Sequence, residues 1–153
     1  MSLHYFIDAY NVIRSNDRMS AGPLQAQRER LLHFIDDKRP CGNNEAIVVF
    51  DGKSGRDWNG WPGATRVIFS LERDADTEIK ERVDAMSNPA SAVVVTNDRA
   101  IQKWVSGAGA RVMSCADFLR AGADAGPAAK SGKPDAATAA EINEQMRRIW
   151  KIK

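Results

Sequence analysis

Along the first 120 residues, hydrophobic positions follow two alternating rhythms: short unbroken apolar runs, and longer stretches with an apolar residue at every third or fourth place. Tyr5-Phe6-Ile7 is a brief run stopped by Asp8. Ala46-Ile47-Val48-Val49-Phe50 ends at Asp51-Gly52, and Ala92-Val93-Val94-Val95-Thr96 ends at Asn97-Asp98. Both are rich in β-branched residues and suit strands covered on two faces. Arg66-Val67-Ile68-Phe69-Ser70 and Arg111-Val112-Met113 read as two more strands. Leu24, Leu31, Leu32 and Ile35 predict a helix closed by Pro40 and Gly42; Ile79, Val83 and Met86 predict another over 76–86, ended by Asn88-Pro89. Ile101, Trp104 and Val105 mark a further helix, stopped near Gly107 and Gly109, and Ser114 with Asp117 forms a capping box that opens a brief helix through Leu119. Strands alternating with helices predict an α/β fold built on a doubly wound parallel sheet.

The rhythm breaks after residue 120. Residues 121–134 are dominated by Ala, Gly, Pro and Lys and read as a flexible linker. Over 135–153, Ile142, Met146, Ile149 and Trp150 form a helical stripe among Arg147, Arg148, Lys151 and Lys153. This basic C-terminal helix could bind ribosomal RNA, but it is expected to dock its apolar stripe back on the domain of residues 1–120, since that stripe would otherwise be exposed. Residues 1–120 carry 16 Lys and Arg against 16 Asp and Glu, so the net charge of +2 comes entirely from the tail. A globally basic coat for nucleic acid is excluded, and a polyanion would have to be met by a local patch. Cys41 and Cys115 stand alone, outside any CxxC spacing, which argues against zinc and for a reduced, cytoplasmic setting. No apolar run approaches the roughly 20 residues of a membrane span.

The acids carry the chemistry. Asp8, Asp51 and Asp98 each fall at or just past the carboxyl end of a different apolar strand, and Asp76 opens the helix that follows another. In an open parallel sheet these ends share one edge, where ligands bind. Carboxylates gathered there repel and raise one another's pKa values unless a cation neutralises them. Hard oxygen donors suit Mg²⁺ or Mn²⁺, and the matching reaction is metal-assisted phosphoryl transfer or phosphodiester hydrolysis. Each acid also has a structural reading: Asp8 with Asn11 as an Asx-turn or N-cap, Asp51-Gly52 as a turn, Asp74 and Asp76 as first-turn acids, Asp98 as a cap. Other site types fit the spelling poorly. Gly52-Lys53-Ser54 lacks the first glycine of a P-loop, Tyr10 stands where a haloacid-dehalogenase phosphatase has its second Asp, and no Lys closes the last strand as in a receiver domain.

Phe6-Ile7-Asp8-Ala9-Tyr10-Asn11-Val12-Ile13, Val48-Val49-Phe50-Asp51-Gly52, Val67-Ile68-Phe69-Ser70 with Ala75-Asp76-Thr77-Glu78-Ile79, and Val94-Val95-Thr96-Asn97-Asp98-Arg99 with Gln102 together resemble the YacP-type NYN-domain ribonucleases of the PIN-like superfamily, over residues 4–120. The resemblance implies a PIN-like sheet of order 3-2-1-4-5 with flanking helices. It also implies a divalent-metal endoribonuclease acting on messenger RNA, in some members on the ribosome. Asp8, Asp76 and Asp98 would then hold the metal, Asp51 would be an outer member, and Asn11 would orient Asp8, water or the phosphate. Two spellings depart from the family: Asn97 where members often have Ser, and Glu72-Arg73-Asp74-Ala75 before Asp76 where Glu-Thr-Ala is usual.

Lys53, Arg56, Trp58, Trp61 and Arg66 follow Asp51 in a glycine-rich stretch. Basic residues neutralise phosphates and indoles stack unpaired bases, so a loop beside the acidic edge is expected to lay single-stranded RNA across the metal, with Arg99 either contacting the scissile phosphate or pairing with a neighbouring acid. At least one of the two tryptophans is expected to be core. The sequence-based reading is therefore a metal-dependent endoribonuclease. Its rivals are a PIN-like module that binds RNA or the ribosome without cutting, and a toxin-type PIN ribonuclease.

Overall fold

The computed structural model describes residues 3–56 and 58–124. Of the linker expected over 121–134, residues 121–124 are helical instead, and the remainder, with the basic helix expected over 135–153, lies outside the described residues. Strands β1 (His4–Asp8), β2 (Glu45–Phe50), β3 (Arg66–Phe69), β4 (Ala92–Val95) and β5 (Arg111–Met113) form one sheet of order β3-β2-β1-β4-β5. All four pairings are parallel. The helices are α1 (Ala9–Arg14), α2 (Leu24–Lys38), α3 (Ala75–Asp84), α4 (Arg99–Gly107) and α5 (Cys115–Asp124), with a 3₁₀ turn at Pro89–Ser91. The expected α/β fold and strand order are both present.

Side chains in a strand point alternately to opposite faces, and here both faces are covered. Ile7, Val48, Phe50 and Val95 pack with Val12, Leu31, Leu32, Phe34 and Phe118 of α1, α2 and α5. Phe6, Ile47, Val49 and Val94 pack with Ile79, Val83, Ile101 and Val105 of α3 and α4. This double burial is why the central strands read as continuous apolar runs rather than as alternating ones.

Two departures from the sequence reading, and one expected loop, bear on the site. The short helix α1 begins directly after β1, with no intervening loop. α5 continues to Asp124, beyond the stop expected at Leu119, and its Gly122 lies so close to the Phe34 ring that a β-carbon would collide with it. The connection from β2 to β3, residues 51–65, contains no helix among the described residues. Because those strands are parallel, this connection must travel from the carboxyl edge of the sheet to its amino edge.

Candidate active site

Asp8 is the last residue of β1 and occupies the N-cap position of α1, yet its side chain makes no capping hydrogen bond. Its Oδ2 accepts instead from the Thr96 hydroxyl at 2.9 Å, across to the end of β4. Burial pushes the Asp8 carboxyl up to about 6. That value already includes smaller upward contributions from the charges of Asp98, Asp76 and Asp51 and the opposing effect of the Thr96 hydrogen bond. Three acids from separate parts of the chain thus act on Asp8 at the carboxyl edge.

Each of the other three is anchored differently. Asp98 caps α4 through Oδ1, which accepts from the N–H groups of Ala100 (2.9 Å) and Ile101 (3.2 Å). Its own N–H donates to Thr96 Oγ1 at 3.1 Å, so the buried Thr96 hydroxyl joins the Asp8 carboxylate to the Asp98 backbone. Asp51 Oδ1 accepts from the N–H of Ala75 at 3.0 Å, tying the end of β2 to the first residue of α3. Asp76 lies in the first turn of α3; its Oδ1 is shielded from solvent without a hydrogen bond, and Lys80 Nζ is 3.2 Å away. Neighbouring Asp74 has the capping role at α3: its carboxyl accepts from Thr77 N–H at 2.8 Å, and that bond holds it below the usual carboxylate range.

Asn11 Oδ1 accepts from Asn97 N–H at 2.6 Å and from the Cys115 thiol at 3.2 Å. Burial, then the charge of Asp8, push that thiol up to about 12, so it remains a protonated donor. Asn97 Oδ1 in turn accepts from Cys115 N–H at 2.9 Å. Asn11 therefore fixes the turn that carries Asp98 rather than bonding Asp8, and the Asn97 departure from the family spelling serves to cap α5.

The basic and aromatic stretch is divided between two places. Lys53 pairs with Glu72 at 3.1 Å on the exposed surface, and Trp58 packs half-buried at the carboxyl edge, edge-on to Phe69 with ring centres 5.2 Å apart. Arg56 and Arg99 are exposed and form no ion pair among the described residues. Trp61 and Arg66 are not gathered with the acids. Trp61 Nε1 donates to Asp36 of α2 at 2.8 Å, and the ring meets His33 edge-on. Arg66 opens β3 and lies 3.5 Å from Glu45, the first residue of β2. Both stand toward the amino edge, where a cavity of about 330 Å³ lined by Asp36, Arg39, Cys41, Glu45 and Thr65 holds none of the four acids. The expectation that the whole loop lies beside the acidic edge is thus corrected: a parallel crossover delivers its second half to the opposite side.

The sequence model of the YacP-like NYN domain matches residues 5–150. The chain belongs to the YacP-like NYN domain family. Crystal structures of Rae1 (YacP) from Bacillus subtilis are similar to it. One superposes with a TM-score of 0.66 at 23% identity, covering 97% of this chain and 79% of that one. A tryptophan-to-leucine variant gives 0.63 at 24% identity, covering 97% and 80%. No curated protein matches the chain. The YacP-like NYN family is nuclease-like and RNA-related.

Within this NYN domain the structure adds three residues that the sequence reading gave no role. Thr96 was visible as part of a Thr-x-Asp spelling, but its bridging hydroxyl was not. Arg28 of α2 is buried; it donates to Tyr10 Oη at 3.0 Å and to the Ser54 carbonyl at 2.6 Å, stacking over Phe50 and Phe69, and so fixes the chain just after Asp51. Lys80 faces Asp76. Among the described residues no three His, Cys, Asp or Glu side chains form a group tight enough to enclose a metal ion. The donors still fit Mg²⁺ or Mn²⁺: they are hard carboxylate oxygens, Asp76 Oδ1 lacks a hydrogen bond, and such ions are commonly held by one or two carboxylates, waters and a substrate phosphate.

Proposed function

We propose that this NYN domain is a divalent-metal-dependent endoribonuclease that hydrolyses phosphodiester bonds of single-stranded RNA, with messenger RNA, free or on the ribosome, as its substrate class. The observation that supports the reading is the gathering of Asp8, Asp51, Asp76 and Asp98 from distant stretches to one edge, where burial first, and then the charges of the other three, raise the proton affinity of Asp8. Such crowding costs stability and is relieved by a cation. Asp8, Asp76 and Asp98 would hold Mg²⁺ or Mn²⁺, with Asp51 outside them. When bound, the ion lowers the pKa of a water and stabilises charge on the phosphate oxygens.

The chain's own residues supply position. Thr96 aims Asp8 and holds the Asp98 backbone, and Asn11 with Asn97 and Cys115 locks the turn between them. Lys53, Arg56 and Arg99 neutralise phosphates, and the exposed part of Trp58 offers a base-stacking face. Water attacks phosphorus in line, and the bond to the leaving ribose oxygen breaks. Two buried free thiols are consistent with a reducing cytoplasm, and among the described residues no helix is long and apolar enough to cross a membrane.

A second reading, an RNA- or ribosome-binding module that does not cut, is favoured by one feature: Asp51 and Asp98 each spend an oxygen on a helix start, and no closed ligand set is present among the described residues. Incubation with RNA, DNA and ribosome-bound message, with Mn²⁺ or with chelator, separates the two. Chelator-sensitive RNA cleavage lost in Asp8→Asn and Asp98→Asn supports the nuclease; tight RNA binding with no cleavage under any metal supports the module.

A further inference from the structure

Lys80 occupies an unusual position for a helix-surface lysine. Its Nζ lies 3.2 Å from the solvent-shielded Oδ1 of Asp76, four residues earlier on α3. The same ammonium lies over the Trp104 ring on α4, 5.8 Å from its centre. Trp104 is 40% exposed, whereas its neighbours Ile101 and Val105 are fully inside the core. The indole is therefore only partly used for packing, and its face carries a cation. Asp76 is also one of the acids that act on Asp8. One ammonium consequently links the acidic edge to an exposed aromatic surface.

We propose that Lys80 is an internal counter-ion of Asp76, which a divalent cation displaces and which Trp104 then holds at the entrance to the edge as a contact for an RNA phosphate. The inference rests on the metal-nuclease reading above and deepens it. A cation at Asp76 and the Lys80 ammonium compete for one carboxylate, because like charges repel at such range. Once released, the ammonium still has the indole beside it, whose face favours a positive charge. RNA brings negative charge to the same place, so the ammonium gains a phosphate as it loses a carboxylate. The exchange keeps Asp76 neutralised without metal and leaves the lysine free to act when metal and RNA are both present.

The test uses the full chain, with Mn²⁺ binding followed by calorimetry and RNA binding measured in Ca²⁺ over a salt series. Lys80→Gln is expected to tighten Mn²⁺ binding about two- to fivefold, the range of one partly exposed ion pair. The same substitution should weaken single-stranded RNA binding and reduce the salt slope by roughly one phosphate contact. Opposite signs in the two measurements are the signature. Trp104→Leu should leave Mn²⁺ affinity unchanged and weaken RNA binding, and the Lys80→Gln/Trp104→Leu double variant should bind RNA no worse than Lys80→Gln alone. Unchanged or weaker Mn²⁺ binding in Lys80→Gln, beside wild-type protein that binds Mn²⁺ and cuts RNA, overturns this inference and leaves the nuclease reading standing. Additive losses in the double variant overturn the role given to Trp104. Wild-type protein that binds no Mn²⁺ overturns both.

Discussion

Single side chains decide the electrostatics of the acidic edge. The Asp8 carboxyl has a folded pKa of about 6 against an ordinary 3.8, so the native state holds its proton more tightly than the unfolded chain. The associated stability is complete below the unfolded value and is lost as pH rises through about 6. Asp8→Asn removes the loss, since the amide oxygen can still accept from Thr96. In chelator at pH 7.5 the variant should be more stable than wild type by about 3 kcal/mol, from roughly 1.4 kcal/mol per pKa unit over the rise from 3.8 to about 6. Thermal melts should show that gain shrinking toward pH 4, while RNA cleavage stays abolished at every pH. Thr96→Val keeps the shape and removes the hydroxyl that serves two acids. It should cost about 1–3 kcal/mol for the Asp98 N–H left unpaired and lower cleavage at least tenfold, as read by single-turnover assays. The acids at the strand ends were legible because a parallel sheet fixes where such ends lie. Lys80 was not, since a lysine four residues after an aspartate is also the spacing of any surface ion pair on a helix, and only the neighbouring helix reveals the indole. Arg28 was hidden for a similar reason: nothing in its own helix tells that the guanidinium turns inward.

Elements set which of these side chains meet. The central strands were legible because burial on both faces leaves no polar alternation to confuse their length. The helix after β1 was not: it has only six residues, and the one capping residue available, Asp8, turns to Thr96 instead. The crossover from β2 to β3 was legible as a long basic stretch, but its direction belongs to strand pairing and not to composition. That direction separates the two tryptophans. Trp61→Phe should lower the melting temperature by a few degrees through the lost hydrogen bond to Asp36, and leave RNA affinity in a filter-binding assay unchanged. Trp58→Ala should reduce both, because its ring packs on Phe50 and Phe69 at the edge where the acids lie.

The molecule as a whole has its sheet covered on both sides and four of its acids at one rim, while residues 1–120 are neutral in sum. A ligand that relieves the rim stabilises everything behind it by mass action. Mn²⁺ at 100 times its Kd should therefore add about 2.7 kcal/mol to the unfolding free energy, and a melting shift of that size should disappear in Asp98→Asn. The hydrogen bond from the Ala75 amide to Asp51 turns this coupling into something visible proton by proton. That amide is held by a carboxylate belonging to the rim itself, so anything that draws the carboxylate outward must first release the amide to deuterium. Its exchange rate is a gauge, built into the start of one helix, of whether the rim is occupied.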